Sequence, residues 1–590
     1  MEVEAQSEMQ EKVAPATKEE ARYAAEIAPA REERLFLLLS IFIGVISGLL
    51  VVSFRMAIDW LSVLLLGPSP GARQPRLIFV PALAGLAIAV LTKYVFPLVR
   101  GSGVNQTKAA LYISNGYISI RTVIGKFLLS ALAIGSGHSL GPEDPSLQIG
   151  AGVASLISRK MGLSREKLRI FAPVGAAAGL AAAFNAPISA ILFVIEEVIG
   201  QWSAGVLGSV VLAAVASVVV ARSFWGSEPM FRIPVITELD SRELLAYAVL
   251  GLVGGIASLV FAKSLGYLRP RLRSMPAWSQ LLQPGLAGLL VGGIGYFGLP
   301  QVMGAGYEAM DQAMHGQFAF KILILLAVFK IIATTLSFSS GTPGGMFAPT
   351  LFIGAMLGAA IGSFEKHYFP YLTGSTGSYA LVGMGVLFAA FLRAPLTSVF
   401  MVLEVSGNYS VILPVILANT IAYLISRALQ PVPIFELFTH QDGLYLPSME
   451  EQREEKSDLH FEDALGPIGV PVFKGSEALL DARRSVTEAF AKSDATAALV
   501  QCKNAAWYAA TRKELEAIFA AMTDNQDTRQ TLEDSLGPDR TPLMFPDQPL
   551  ASALPYFRRW PLLPISNRAM RGALEGVLSQ TDVIRRYQGQ

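Results

Sequence analysis

Between residues 35 and 440 the hydrophobic positions run in long blocks with few polar interruptions, rather than alternating at the helical or strand period of a water-soluble fold. Five blocks are long enough to cross about 30 Å of hydrocarbon as helices: "LFLLLSIFIGVISGLLVV" (35–52), "LIFVPALAGLAIAVLTKYVF" (77–96), "GVLGSVVLAAVASVVVA" (205–221), "LLAYAVLGLVGGIASLVFA" (244–262) and "VILPVILANTIAYLISRAL" (411–429). Others, such as "SLQIGAGVASLIS" (146–158) and "MFAPTLFIGAMLGAAIG" (346–362), are interrupted by Gly or Pro and predict short, broken helices. Irregular backbone at membrane depth survives only when buried in protein or lining a cavity, so broken helices point to a transport pathway.

The pattern changes near residue 440. A charged linker, "SMEEQREEKSDLHFEDA", leads into an ordinary soluble mixture in which short apolar strands ("TAALVQC", "LLPIS") alternate with helical stretches ("TRKELEAIFAAM", "PLASALPYF", "LEGVLSQTDVIRRY"). The first 34 residues are charged, lack the apolar core of a cleavable signal peptide, and read as a cytosolic tail. The organisation expected is a tail over 1–34, a membrane domain over 35–440, a linker over 441–460 and a soluble domain over 461–590.

The membrane domain repeats itself. "GPEDPSLQIGA" (141–151) aligns with "GMFAPTLFIGA" (345–355), with six of eleven positions identical. "GAAAGLAAAFNAPISAILFVIEE" (175–197) aligns with "GMGVLFAAFLRAPLTSVFMVLEV" (383–405), with seven identities. The offsets, 204 and 208, are nearly equal and the order is kept, so two repeats of roughly 35–240 and 241–440 are expected. Duplicated bundles place their substrate site where the halves meet.

Composition agrees with a membrane protein: 52% of the 590 residues are hydrophobic, 16% are charged and the mean hydropathy is +0.46. Soluble chains carry about 25% charged residues. A net charge of +1 gives no reason to expect nucleic acid, a single cysteine excludes an intrachain disulfide, and the five histidines show no metal-ligand spacing.

Against this background the carboxylates of the repeats stand out. Glu196 is matched by Glu404 in the second copy, which favours a shared structural role at a helix end. Glu197 is matched by Val405 and Glu143 by Phe347, so architecture alone requires neither. Ionisable groups inside a membrane mark ion or proton pathways by default. In both copies a Gly-rich turn ("LGPEDP", "GTPGGMFAP") opens an apolar helix, and a third turn, "RGSGVNQTKAALYI" (100–113), flanks Ser102 with glycines. Unpartnered N–H groups and the helix dipole at such termini suit weak, reversible anion binding. Asp144, beside Glu143, reads most simply as a helix N-terminal cap. His138 reads as a polar spacer near the pathway.

The stretches "GSGV" (101–104), "GPEDPSLQIG" (141–150), "AAAFNAPISAILFVIEE" (181–197), "GGMFAP" (344–349) and "RAPLTSVFMVLE" (393–404) resemble the CLC family of chloride channels and chloride/proton antiporters. The resemblance implies an all-α polytopic membrane fold, an inverted repeat of broken and tilted helices, working as a homodimer with a separate pore in each subunit. It places Ser102 on the serine that binds a central chloride, and Met346 and Phe347 on residues whose backbone amides bind it. It places Glu143 on the external gating glutamate and Glu197 on the internal proton-transfer glutamate of the antiporters. An ionised Glu143 and a chloride would compete for one ring of N–H donors, while a protonated Glu143 would swing aside.

Several positions depart from the family pattern. Pro142 lacks an N–H where many members carry a basic residue, Asp144 replaces a common glycine, and Asn105 stands where Pro is frequent. Phe435, in "PVPIFELF" (431–438), replaces a tyrosine whose hydroxyl contacts the central chloride, so weaker central binding and looser coupling are expected. The last segment resembles the end of a CBS motif, and the soluble domain is expected to be an α/β, degenerate CBS-like pair whose first motif, near 484–520, is the degenerate one. Thr581 and Asp582 fall where such domains can contact an adenine nucleotide, although an Asp at a helix start is more often a cap.

The reading that follows is a chloride/proton antiporter of the cell membrane, multi-pass, with both termini cytosolic. Its partners are chloride, proton and membrane lipid, and no cofactor or metal is expected. The competing readings are a passive gated chloride channel, an intramembrane enzyme using Glu143 and Asp144 as an acid/base pair, and a membrane-anchored nucleotide sensor.

Overall fold

The computed structural model describes residues 18–68, 73–114, 116–161, 165–200, 204–231, 242–369, 375–443, 459–465, 469–493, 495–503, 506–522, 530–566 and 574–587. The chain divides into two compact units, Met1–Leu446 and Pro447–Gln590.

The first unit is helical. Among the described residues, seven helices are long and apolar enough to cross a membrane, and the five expected segments are among them. The segment 346–362, expected as a short broken piece, instead forms the 22-residue helix Phe347–Tyr368, because the helix runs on through the polar "SFEKHY". The first helix, Lys18–Leu66, has 49 residues and so spans about 74 Å at 1.5 Å per residue. Only its apolar part, Leu35–Leu66, counts as a span. Residues 1–17 of the expected tail lie outside the described residues.

Each helix that matters for the site has a counterpart about 204 residues later. Val104–Tyr112, Ile120–Gly135, Glu143–Lys160 and Pro187–Phe193 pair with Tyr307–Met314, Phe320–Ser339, Phe347–Tyr368 and Pro395–Ser406. The starts of these helices are written locally. Ser119 accepts from the Thr122 amide at 3.2 Å, and Pro187 and Pro395 occupy first-turn positions where a missing N–H costs nothing.

Two contacts give the halves a local two-fold relation. Gly141 and Gly345, equivalent residues, exchange both backbone hydrogen bonds at 2.8 Å as an antiparallel bridge. Glu196 accepts from the amides of Leu396 (3.2 Å) and Thr397 (2.9 Å), while Glu404 accepts from those of Ile188 (3.0 Å) and Ser189 (2.8 Å). Each glutamate therefore caps the short helix of the opposite half. The shared structural role expected for this pair is what the geometry displays.

Glycines set the helix crossings in both halves. A Cβ on Gly150 would lie 2.1 Å from the Gly175 carbonyl, and one on Gly354 would lie 2.1 Å from that of Gly383. Neither position tolerates a side chain, so the two helix pairs cross with backbones nearly touching.

The second unit is α/β. Strands β1 (Val472–Lys474), β2 (Ala497–Gln501) and β3 (Trp507–Thr511) form one sheet. β1 and β2 are parallel, with Val472 opposite Leu499, and β2 and β3 are antiparallel, with Leu499 opposite Ala509. The helix Leu479–Ala491 makes the parallel crossover, and Arg512–Ala520 follows β3. Strands β4 (Leu562–Ser566) and β5 (Leu574–Ser579) pair antiparallel before the helix Gln580–Tyr587. Met544, bridged in parallel to Ile565, stands where a first strand would be. The order β-α-β-β-α is thus complete in the first half and abbreviated in the second. Within 484–520, Leu499, Val500, Trp507 and Leu515 supply a buried core.

Candidate anion and proton site

The site is built on the Gly141–Gly345 bridge, where the helices Glu143–Lys160 and Phe347–Tyr368 both begin. Glycine is required on both strands of the bridge by close approach. A Cβ at Gly141 would meet Glu143 Oε2 at 2.4 Å, and one at Gly345 would meet Asp144 Oδ2 at 2.1 Å. These two glycines make room for the adjacent carboxylates, a use distinct from the packing role of Gly150 and Gly354.

Glu143 and Asp144 are fully buried and point to different partners. Tyr307, the first residue of its helix, donates its hydroxyl to Glu143 Oε1. Asp144 Oδ2 accepts from the amides of Met346 (2.9 Å) and Phe347 (3.3 Å). The expected cap is therefore present, but on the helix of the opposite half rather than on its own. Asp144 is the second residue of its own helix, so its side chain is free to leave that helix and reach across the bridge.

Ser102 lies next to this point. Its Oγ accepts from the Val104 amide at 3.3 Å, and a Cβ on Gly103 would sit 2.8 Å from the Asp144 carbonyl. Phe347 packs in a buried aromatic group against Phe193, Phe388 and Phe435, at centroid distances of 4.8, 5.3 and 6.5 Å. Asn105 donates to the Phe435 carbonyl at 3.0 Å, tying the helix that follows Ser102 to the segment that carries Phe435. Ser102, Glu143, Met346, Phe347 and Phe435, all proposed from sequence, therefore belong to one continuous buried network. A cavity of about 570 Å³, lined by Arg55, Asp59, Pro142, Tyr307, Glu308 and Gln312, approaches it at the Leu66 end of the first helix.

The profile of the family described as voltage gated chloride channel matches residues 84–427. The chain belongs to that family. One relative, the H(+)/Cl(-) exchange transporter ClcA of Salmonella paratyphi B, is 32% identical over 412 residues, covering 68% of this chain and 87% of that protein. Among solved structures, a slow cyanobacterial Cl-/H+ antiporter is similar with a TM-score of 0.62 and 26% identity, over 69% of this chain and 97% of that one. A eukaryotic CLC transporter, at 20% identity and a TM-score of 0.59, matches in fold over 93% of this chain and 97% of its own.

Within this voltage gated chloride channel fold, Glu197 lies apart from the Glu143 network, on the π-helical turn Val194–Ile199. It accepts from Lys108 Nζ at 2.8 Å. One helical turn beyond Lys108, the Tyr112 hydroxyl donates to the Ile199 carbonyl at 2.5 Å, so one face of Val104–Tyr112 holds the second half of that turn. His138 Nε2 lies 3.2 Å from the Pro81 carbonyl, which matches a spacer joining two helices.

Four positioning residues escaped the sequence reading. Lys126 donates to the carbonyls of Val99 (3.2 Å) and Gly101 (2.6 Å), bracing the turn that carries Ser102. Lys330 donates to Val302 (3.0 Å) and Gly304 (2.8 Å), bracing the turn that carries Tyr307. Both lysines are buried, and they are 204 residues apart. The repeat offset applied to lone cations in apolar helices would have found them. Nothing local marks Tyr307 or Lys108.

In the second unit, Ser579 caps the last helix by accepting from the Asp582 amide (3.3 Å), and Asp582 Oδ2 reaches back to accept from the amide (3.0 Å) and hydroxyl (2.5 Å) of Ser579, so Asp582 belongs to a capping box at the helix start. Thr581 is exposed. Among the described residues no group of three or more His, Cys, Asp or Glu could hold a metal ion.

Proposed function

We propose that this protein is a chloride/proton antiporter of a cell membrane. The observation that carries the reading is a buried ionisable side chain, Glu143, set at a junction of helix N-termini in an otherwise apolar unit. Such a place suits a small anion, which N–H dipoles hold without a full positive charge. Glu143 is itself an anion when ionised and neutral when protonated. Chloride entry and proton uptake by Glu143 are then one event, and its return toward the amides expels chloride. Tyr307 holds the carboxylate toward the cavity in the meantime. Glu197, near-buried on its separate turn, serves the proton's other end, reached through water. The names of the Salmonella relative and the cyanobacterial structure support this assignment.

Ser102 and the Met346 and Phe347 amides form the central anion site in this reading, and Phe435 closes it with a ring rather than a hydroxyl. All these groups come from one chain, which fits a homodimer with one pathway per subunit. Lipid meets the exposed apolar side chains of the spanning helices, and both termini face the cytosol. The second unit fits a supporting module better than a nucleotide sensor, since Asp582 is already engaged with Ser579.

Reconstituted protein tests the reading. An imposed chloride gradient is expected to drive protons uphill, and Glu143→Ala to abolish proton movement while chloride still passes. A passive channel is the second reading, favoured by the loss of the tyrosine hydroxyl at Phe435. Chloride flux that leaves pH unmoved in wild-type vesicles would select it.

A further inference from the structure

Asp144 is the carboxylate of the junction that accepts from the Met346 and Phe347 amides of the anion cradle. Its Oδ2 takes the first two amides of the helix Phe347–Tyr368, a helix of 22 residues with a full dipole. Its other oxygen, Oδ1, is fully buried and has no hydrogen-bond partner. Oδ2 thus takes up the cradle's donors while Oδ1 remains unsatisfied, an unusual arrangement for a buried carboxylate. A purely structural cap would satisfy both oxygens, as Glu196 does with Leu396 and Thr397. The surroundings are built around this carboxylate: only a glycine at 345 lets Oδ2 reach the amides, and only a glycine at 103 lets the Ser102 turn pack against the Asp144 backbone.

We propose that Asp144 is a built-in occupant of the central anion site, so that a halide binds the Met346 and Phe347 amides only by displacing it. The inference rests on the transport reading for the identity of the ion. Two carboxylates then act in series: Glu143 controls access from the cavity, and Asp144 sets how strongly the inner amides bind. A charged acceptor holds an amide more tightly than a neutral one, so the exchange of one anion for another lowers apparent halide affinity. The protein therefore works at high chloride.

The test is chloride binding to the purified full-length protein by isothermal titration calorimetry, compared across wild type, Asp144→Gly and Asp144→Asn. Removing the competing carboxylate is expected to tighten chloride binding about tenfold or more, the size of one charge-assisted hydrogen bond. Asp144→Asn keeps the shape and an acceptor oxygen, so it preserves the fold if Asp144→Gly does not, and it is expected to bind with intermediate affinity. Monodisperse variants that bind chloride no better than wild type would overturn the proposal. Flux in vesicles is read separately: wild-type vesicles that pass no chloride refute the transport reading, whereas unchanged affinity in vesicles that do pass it refutes only the role of Asp144.

Discussion

Glu197 and Lys108 pose the sharpest question at the scale of single residues. An exposed ion pair contributes about 0–1 kcal/mol, but these side chains keep only 11% and 19% exposure. The carboxylate is therefore held in one place by a cation it cannot exchange for water. A tethered carboxylate hands protons on slowly, because each transfer must first break the pair. Lys108→Met is accordingly expected to raise proton flux per chloride in reconstituted vesicles, with chloride flux unchanged. A proton-to-chloride ratio equal to that of wild type would show that the ion pair with Lys108 does not limit proton transfer. Phe435 presents a ring without a hydroxyl beside Phe347, so no side-chain donor of residue 435 reaches the Met346 and Phe347 amides.

Among elements, the duplication does more than repeat helices, since it makes each half complete the other. Glu196 and Glu404 cap short helices they do not belong to, with matching distances in both directions. Removing a cap of this kind costs about 0.5–2 kcal/mol. Glu196→Ala and Glu404→Ala are each expected to lower thermal stability in detergent by a similar amount. Glu197→Val removes no cap, since Val405 fills the equivalent place in the second half, and its cost is that of leaving Lys108 without its carboxylate partner. A destabilisation confined to one of the two caps would contradict the two-fold relation. Much of this level was legible beforehand. The offset of about 204 residues located both broken-helix starts, paired Glu196 with Glu404, and singled out Glu143 and Glu197 as unrequired by architecture. What it could not show was direction. The amides that Asp144 accepts from lie 202 and 203 residues away, so no local pattern distinguishes a cap on its own helix from a cap on its neighbour's. Lys108 reaches Glu197 over 89 residues for the same reason.

For the whole molecule, the two units differ in kind: one carries every residue of the anion and proton site, and the other has its own core of Leu499, Trp507, Leu563 and Val583. The change in composition near 440 was readable because apolar blocks and charged linkers obey different solvents. The internal order of the second unit was not, since the parallel bridge of Met544 to Ile565 joins a stretch with no strand pattern of its own to β4. The 68% of this chain that aligns with the Salmonella relative covers 87% of that protein, and 69% of it covers 97% of the cyanobacterial structure. The hydrogen bonds and the cavity described for the site all lie among described residues of the first unit. Deleting residues 447–590 is therefore expected to leave coupled chloride and proton fluxes in vesicles intact per molecule inserted, while lowering the amount of folded protein recovered. If the truncated protein folds as a monodisperse species but passes neither ion, the second unit is part of the transport cycle itself, and the pathway described within the first unit is incomplete.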